Sequence, residues 1–228
     1  MWQSIIYQLR QYYIAIGRPL HQTEISYLQN AFINIDVLFN KNLPNLKRIK
    51  YILLCEAPLW GKQAPHKYIY NLQNQNDSSF FRVKNLKDAL LQSGQTPFTN
   101  LITKMDLVTE LNMRGFLIID VSPYALNRND TSINYGWLSR KKVNNYQSLL
   151  LPTLGIFFNS KMQTVYPKLI ATNDKIKVFY RYPRIEKHLG TSIQSILSNY
   201  GISIMPPPLN NIFKQGGGID IQKLSVIL

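Results

Sequence analysis

Residues 51–71 read YILLCEAPLWGKQAPHKYIYN. Five residues without charge, Tyr51 to Cys55, run directly into Glu56, Ala57 and Pro58. A short apolar run closed by a proline is the pattern of a strand buried on both faces. It predicts a strand in KYILLCEAP, followed by a loop rich in aromatic residues: Trp60, His66, Tyr68 and Tyr70. Glu56 therefore sits where a buried strand ends, in a chain that holds only 12 acidic residues.

The same pattern recurs outward from this stretch. FLIIDVSPYALN (116–127) is a second apolar strand, again with a carboxylate, Asp120, and a proline at its end. KIKVFYRYP (175–183) is a third, ending near Tyr182, and ISIMPPPLNN (202–211) is a short fourth running into three prolines. Between them lie helical stretches. Residues 4–16 and 23–34 have helical apolar spacing, 78–94 ends at Gly94, and 97–115 ends at Gly115. Residues 143–171 form a helical stretch broken near Pro152, and 184–201 stops at Gly201. Glycine just past a helix supplies the left-handed turn that ends it. The stretch RNDTSINYGWLSRKK (128–142) is polar and basic and is expected as an exposed loop. Strands alternating with helices predict an α/β sandwich around a parallel sheet. With 228 residues and no linker-like segment, residues 1–228 are expected as a single domain.

Composition narrows the function classes. Hydrophobic content of 45% is that of a chain with a core, and argues against general disorder. No apolar run reaches the ~18 residues of a membrane span, and the N-terminal stretch lacks a small-residue cleavage site, so no membrane association and a cytoplasmic location are expected. Cys55 is the single cysteine, which rules out an internal disulfide or an iron–sulfur cluster held by four thiolates of this chain. The three histidines show no i, i+4 pairing, so no metal and no cofactor are expected. The net charge of +14 points to a polyanionic partner, with DNA or RNA the commonest, although an AT-rich coding sequence also enriches Asn, Ile, Lys and Tyr.

In open α/β sheets ligands bind beyond the carboxyl ends of the strands. Glu56, Asp120, Tyr182 and the segment from Met205 to Leu209 all fall there. Glu56 is open to acid–base or charge-stabilising work, or to capping the following turn or helix or pairing with a lysine. Asp120 either faces a ligand or binds the turn around Ser122 and Pro123. The loop with Trp60, His66, Tyr68, Tyr70, Lys62 and Lys67 combines rings that stack on bases with cations that meet phosphate, and its tyrosines also fit ordinary packing. Pro206, Pro207 and Pro208 fix three successive φ angles, as a rigid pocket wall or as a plain stop. Lys214–Gly218, KQGGG, lacks the phosphate-loop pattern, and Arg140, Lys141 and Lys142 read first as a solvated face.

These residues together resemble the uracil-DNA glycosylase superfamily, over roughly residues 49–215. CEAP stands where that family has a motif such as G-E-A-P-G after its first strand, with Cys55 in place of the glycine. MPPPL stands where its best-known branch has H-P-S-P-L, with Met205 in place of the histidine and Pro207 in place of the serine. The resemblance implies a three-layer α/β/α sandwich around a central four-stranded parallel sheet. It implies a DNA-binding, base-excision protein of DNA repair that flips a base into a pocket and hydrolyses the N-glycosidic bond of uracil or another damaged base. Glu56 would be catalytic, Asp120 would read the base edge, and Tyr68 or Tyr70 would stack. Met205, Pro206, Pro207, Pro208 and Asn210 would form the wall near the backbone. The missing histidine removes one donor to the departing base. That departure, with Ala57 where the best-known branch has an acid, keeps a second reading open: a non-catalytic nucleic-acid-binding protein with the same fold. A third, an α/β enzyme acting on free nucleotides, rests on the fold class alone.

Overall fold

Three parallel strands lie at the centre of the computed structural model, which describes residues 1–62, 66–74, 80–141, 143–170, 176–202 and 211–228. They are β1 (Tyr51–Cys55), β2 (Phe116–Asp120) and β3 (Lys177–Tyr180), in the order β2-β1-β3. Every residue of β2 and the last four of β1 are buried, so these strands are covered on both faces, as their unbroken apolar runs require. The register pairs Tyr51 with Phe116 and Lys177, and carries Cys55 opposite Asp120. The expected fourth strand beyond Ile202, together with Met205, Pro206, Pro207, Pro208 and Asn210, lies outside the described residues.

The helices follow their sequence signals closely. The chain opens with α1 (Trp2–Ala15) and α2 (Gln22–Asn42), the second running eight residues beyond its expected end because Ile35 and Phe39 continue the buried stripe. Helix α3 (Val83–Ser93) stops at Gly94 and α4 (Lys104–Arg114) at Gly115, both glycines in the left-handed region. At Gly115 a side chain would be crowded as well: a Cβ would lie 3.1 Å from the Lys50 amide. Thr103 caps α4 reciprocally with Asp106, whose backbone and hydroxyl hydrogen bonds hold its carboxyl below the usual range.

Residues 131–138 depart from the expected exposed loop. Thr131, Ile133, Tyr135 and Leu138 are buried, and α5 (Tyr135–Lys141) begins where Asn134 Oδ1 accepts from the Trp137 amide at 3.0 Å. Polar residues at that helix start hid the apolar positions between them. The break at Pro152 is a wide π-turn, Leu154–Phe158, between α6 (Val143–Thr153) and α7 (Asn159–Ile170). Helix α8 (Pro183–Ser198) follows β3, and α9 (Ile221–Ile227) is a terminal helix capped by Asp220.

Helix α1 packs on α2 and α6, α6 on α8, and α8 on β3; α3 packs on α4 and α9, and α4 on β2. The outer edge of β2 is closed by a side chain. Tyr70 Oη donates to the Ile118 carbonyl at 3.1 Å and accepts from the Ile118 amide at 3.0 Å. A single hydroxyl thus satisfies both outward-facing backbone groups of Ile118. Among the described residues no helix is long and apolar enough to cross a membrane.

Candidate functional site

The register of β1 and β2 decides which strand-end residues share a face. Cys55 and Asp120 are cross-strand partners, so their side chains point to the same side of the sheet. Ile118, two residues before Asp120, joins them. The ladder continues past the strands, with the Ser122 amide donating to the Glu56 carbonyl at 3.0 Å, and Glu56 therefore faces the opposite side. The two carboxylates at the strand ends occupy two different environments.

On the first side lies a cavity with about 20 Å³ of free space, enough for one water. Cys55, Tyr68, Phe80, Ile118, Asp120 and Arg181 form its body, with Leu59 and Lys67 also lining it. Asp120 is buried, and among the described residues no donor hydrogen-bonds its carboxyl. Burial pushes that carboxyl up to about 7, against the opposing pull of Arg181 and Lys161. Burial, reinforced by Asp120, also raises the Cys55 thiol and the Tyr68 hydroxyl above their ordinary ranges, so both stay protonated at neutral pH.

Arg181 continues directly from β3, its amide donating to the Leu54 carbonyl at 2.9 Å. Its guanidinium lies 4.1 Å from the Phe80 ring centroid and 4.9 Å from that of Tyr182, and its Nε donates to the Gly217 carbonyl at 3.2 Å. Gly217 has φ +76, and a Cβ there would lie 2.4 Å from Tyr182 Cε1. The KQGGG segment thus matters as a brace for Arg181.

On the other side, Glu56 is clamped. Arg184 Nε donates to its Oε1 at 2.5 Å and Arg184 Nη2 to its Oε2 at 2.6 Å, while Tyr146 Oη donates to Oε1 at 2.8 Å. The Arg184 guanidinium, raised first by that hydrogen bonding, is fixed in its charged form and rests 4.4 Å above the Tyr182 ring. Burial and the Glu56 charge both push the Tyr146 hydroxyl up, so it remains a donor. Glu56 is thus a paired carboxylate, held by Arg184 where a lysine was the expected partner.

Of the residues expected at the site, the structure brings Asp120 and Tyr68 together in the cavity. Glu56 and Tyr70 are outside its lining: the first is turned to the opposite face, the second is spent on the edge of β2. Phe80, Arg181, Arg184 and Tyr146 went unnoticed in the sequence. Arg181 carried a usable signal, because it directly follows the apolar run VFY at the end of a predicted strand. Tyr146 and Arg184 carried none, since only the fold brings α6 and α8 to the end of β1.

No family model, curated protein or solved structure matches this chain. A buried carboxyl that no described donor hydrogen-bonds, an aromatic wall and a braced guanidinium line this cavity. Among the described residues no cluster of three His, Cys, Asp or Glu side chains is placed to hold a metal ion.

Proposed function

We propose that the protein binds DNA and receives an extruded base in the cavity at the ends of β1, β2 and β3. In this reading the architecture is that of the uracil-DNA glycosylases, three layers around a four-stranded parallel sheet, and the work is base excision in DNA repair in the cytoplasm. The Asp120 carboxyl is the observation that carries it. A carboxyl that titrates at about 7 presents, when neutral, one donor and one acceptor side by side. That pair complements the adjacent carbonyl and N–H of uracil or hypoxanthine. Phe80 and Tyr68 supply the flat apolar walls, and the net charge of +14 supplies attraction to the phosphates. The cavity has room for one water, so a base enters as Leu59 and Lys67 swing aside; both are exposed.

The Glu56–Arg184 pair favours a second reading, in which the protein binds DNA without hydrolysis. A carboxylate that holds two guanidinium hydrogen bonds and a tyrosine, on the far side of the sheet end, is poorly placed to position water at a sugar carbon. Oligonucleotides carrying uracil or hypoxanthine separate the two readings. Salt-dependent binding with base release that falls in Glu56→Gln supports excision. Binding without release, in the wild type, supports the non-catalytic reading. No binding at low salt overturns both.

A further inference from the structure

The segment that leaves β1 borders two hollows. Ala57, Pro58 and Leu59 line the cavity, and the next residues, Trp60, Gly61 and Lys62, line a separate groove with about 520 Å³ of free space. The opposite wall of this groove is one face of α2: Gln22, Thr23, Ser26 and Asn30. Spacing of four residues puts 22, 26 and 30 in a row along that helix. The row is polar throughout, whereas the opposite stripe of α2 is buried core.

One end of the groove is a fixed aromatic platform. The His66 ring stacks on the Trp60 indole with centroids 3.8 Å apart and planes 19° from parallel. The His66 carbonyl accepts from the side-chain amides of Asn71 and Asn74, each at 3.1 Å, which fixes the backbone beneath the ring. The Trp60 carbonyl accepts from Tyr27 Oη at 3.3 Å, tying the backbone at Trp60 to α2. Among the described residues His66 Nδ1 has no hydrogen-bond partner although the atom is buried. The nearby Asp130 carboxylate is engaged by Asn127 Nδ2 at 2.9 Å, and Lys62 is exposed at the groove.

We infer that this groove binds the unpaired nucleotide next to the extruded one. Its base lies on the Trp60–His66 platform, its edge meets the amide and hydroxyl side chains of Gln22, Ser26 and Asn30, and its phosphate meets Lys62. Aromatic stacking with a nearby cation is how proteins hold single-stranded nucleic acid without reading its sequence. Leu59 and Trp60 are consecutive, so one strand passing over this segment reaches both hollows. The inference rests on the DNA-binding reading above and adds to it a second, sequence-tolerant contact.

The test is a titration of the intact protein with a short oligo(dT), followed by fluorescence anisotropy of the labelled oligonucleotide and by quenching of tryptophan emission. Ser26→Phe fills the groove from an exposed helix position, and Lys62→Gln with His66→Ala removes the cation and the outer ring. The expected result is at least a tenfold loss of affinity in both variants, with tryptophan quenching in the wild type that Trp60→Leu abolishes. Binding by the wild type that neither variant weakens overturns the groove assignment and leaves the cavity reading standing. Absence of wild-type binding at low salt overturns the groove and the DNA-binding reading together. Weakening in Asp120→Ala with no change in the groove variants also contradicts the inference.

Discussion

Arg184 grips both oxygens of Glu56, at 2.5 and 2.6 Å, from the first turn of α8. Glu56 is buried, while the Arg184 side chain keeps 32% of its exposure, so the pair spans the boundary of the core. Removing one partner leaves a buried charge without its counterpart. Arg184→Met is expected to lower the unfolding free energy by about 3 kcal/mol. Glu56→Gln keeps the tyrosine contact and is expected to lower it by about 1–2 kcal/mol. Urea denaturation of both variants decides the ranking, and a neutral Arg184→Met contradicts the clamp.

Asp120 makes stability depend on pH in the direction opposite to a salt-bridged acid. Its folded carboxyl titrates at about 7, above the ordinary 3.8. Between those values the folded state holds a proton that the unfolded state has lost, so stability falls as pH rises from about 4 to about 7. Arg181 and Lys161, the cations that face it, reduce the effect without reversing it. Asp120→Asn removes the titration. Relative to the wild type it is expected to gain on the order of 2–4 kcal/mol on going from pH 4 to pH 8. A wild-type minus variant difference that is flat over this range refutes the assignment.

Tyr70 is a structural closure of the sheet edge. Tyr70→Phe strips Ile118 of both its partners and is expected to cost about 2 kcal/mol in chemical denaturation. DNA affinity per folded molecule should not change. A stable variant with weakened DNA binding would return Tyr70 to the stacking role.

Gly217→Ala tests the brace behind Arg181. A methyl group would lie 2.4 Å from the Tyr182 ring in a backbone with φ +76, so the segment must shift. We expect a loss of about 1–3 kcal/mol, accompanied by a change in the pH at which Asp120 titrates, read by carboxyl NMR. An unchanged Asp120 titration would show that Gly217 does not position Arg181.

The helices and the parallel strands were legible in the sequence because apolar runs, helical spacing and terminal glycines each mark one local event. Gly94 and Gly115 ended helices where expected, and Asp120 lay at a strand end. What was not legible depended on the side to which a residue turns. Glu56 and Asp120 look equivalent in sequence, each closing an apolar run, yet the register of Cys55 with Asp120 sends Glu56 to the other face. The alternation Tyr68, Tyr70 likewise conceals two different roles, a cavity wall and an edge closure. Helix α5 was missed because Asn134, Gly136 and Ser139 break up the apolar spacing of its short sequence.

The central claim, a base held at Asp120, is tested most directly by comparing affinities for two duplexes that differ by one bulged uracil. Wild type is expected to prefer the bulged duplex at least tenfold at fixed low salt, and Asp120→Ala to bind both duplexes alike. Equal affinity of the wild type for the two duplexes, or a preference that survives in Asp120→Ala, would contradict the account.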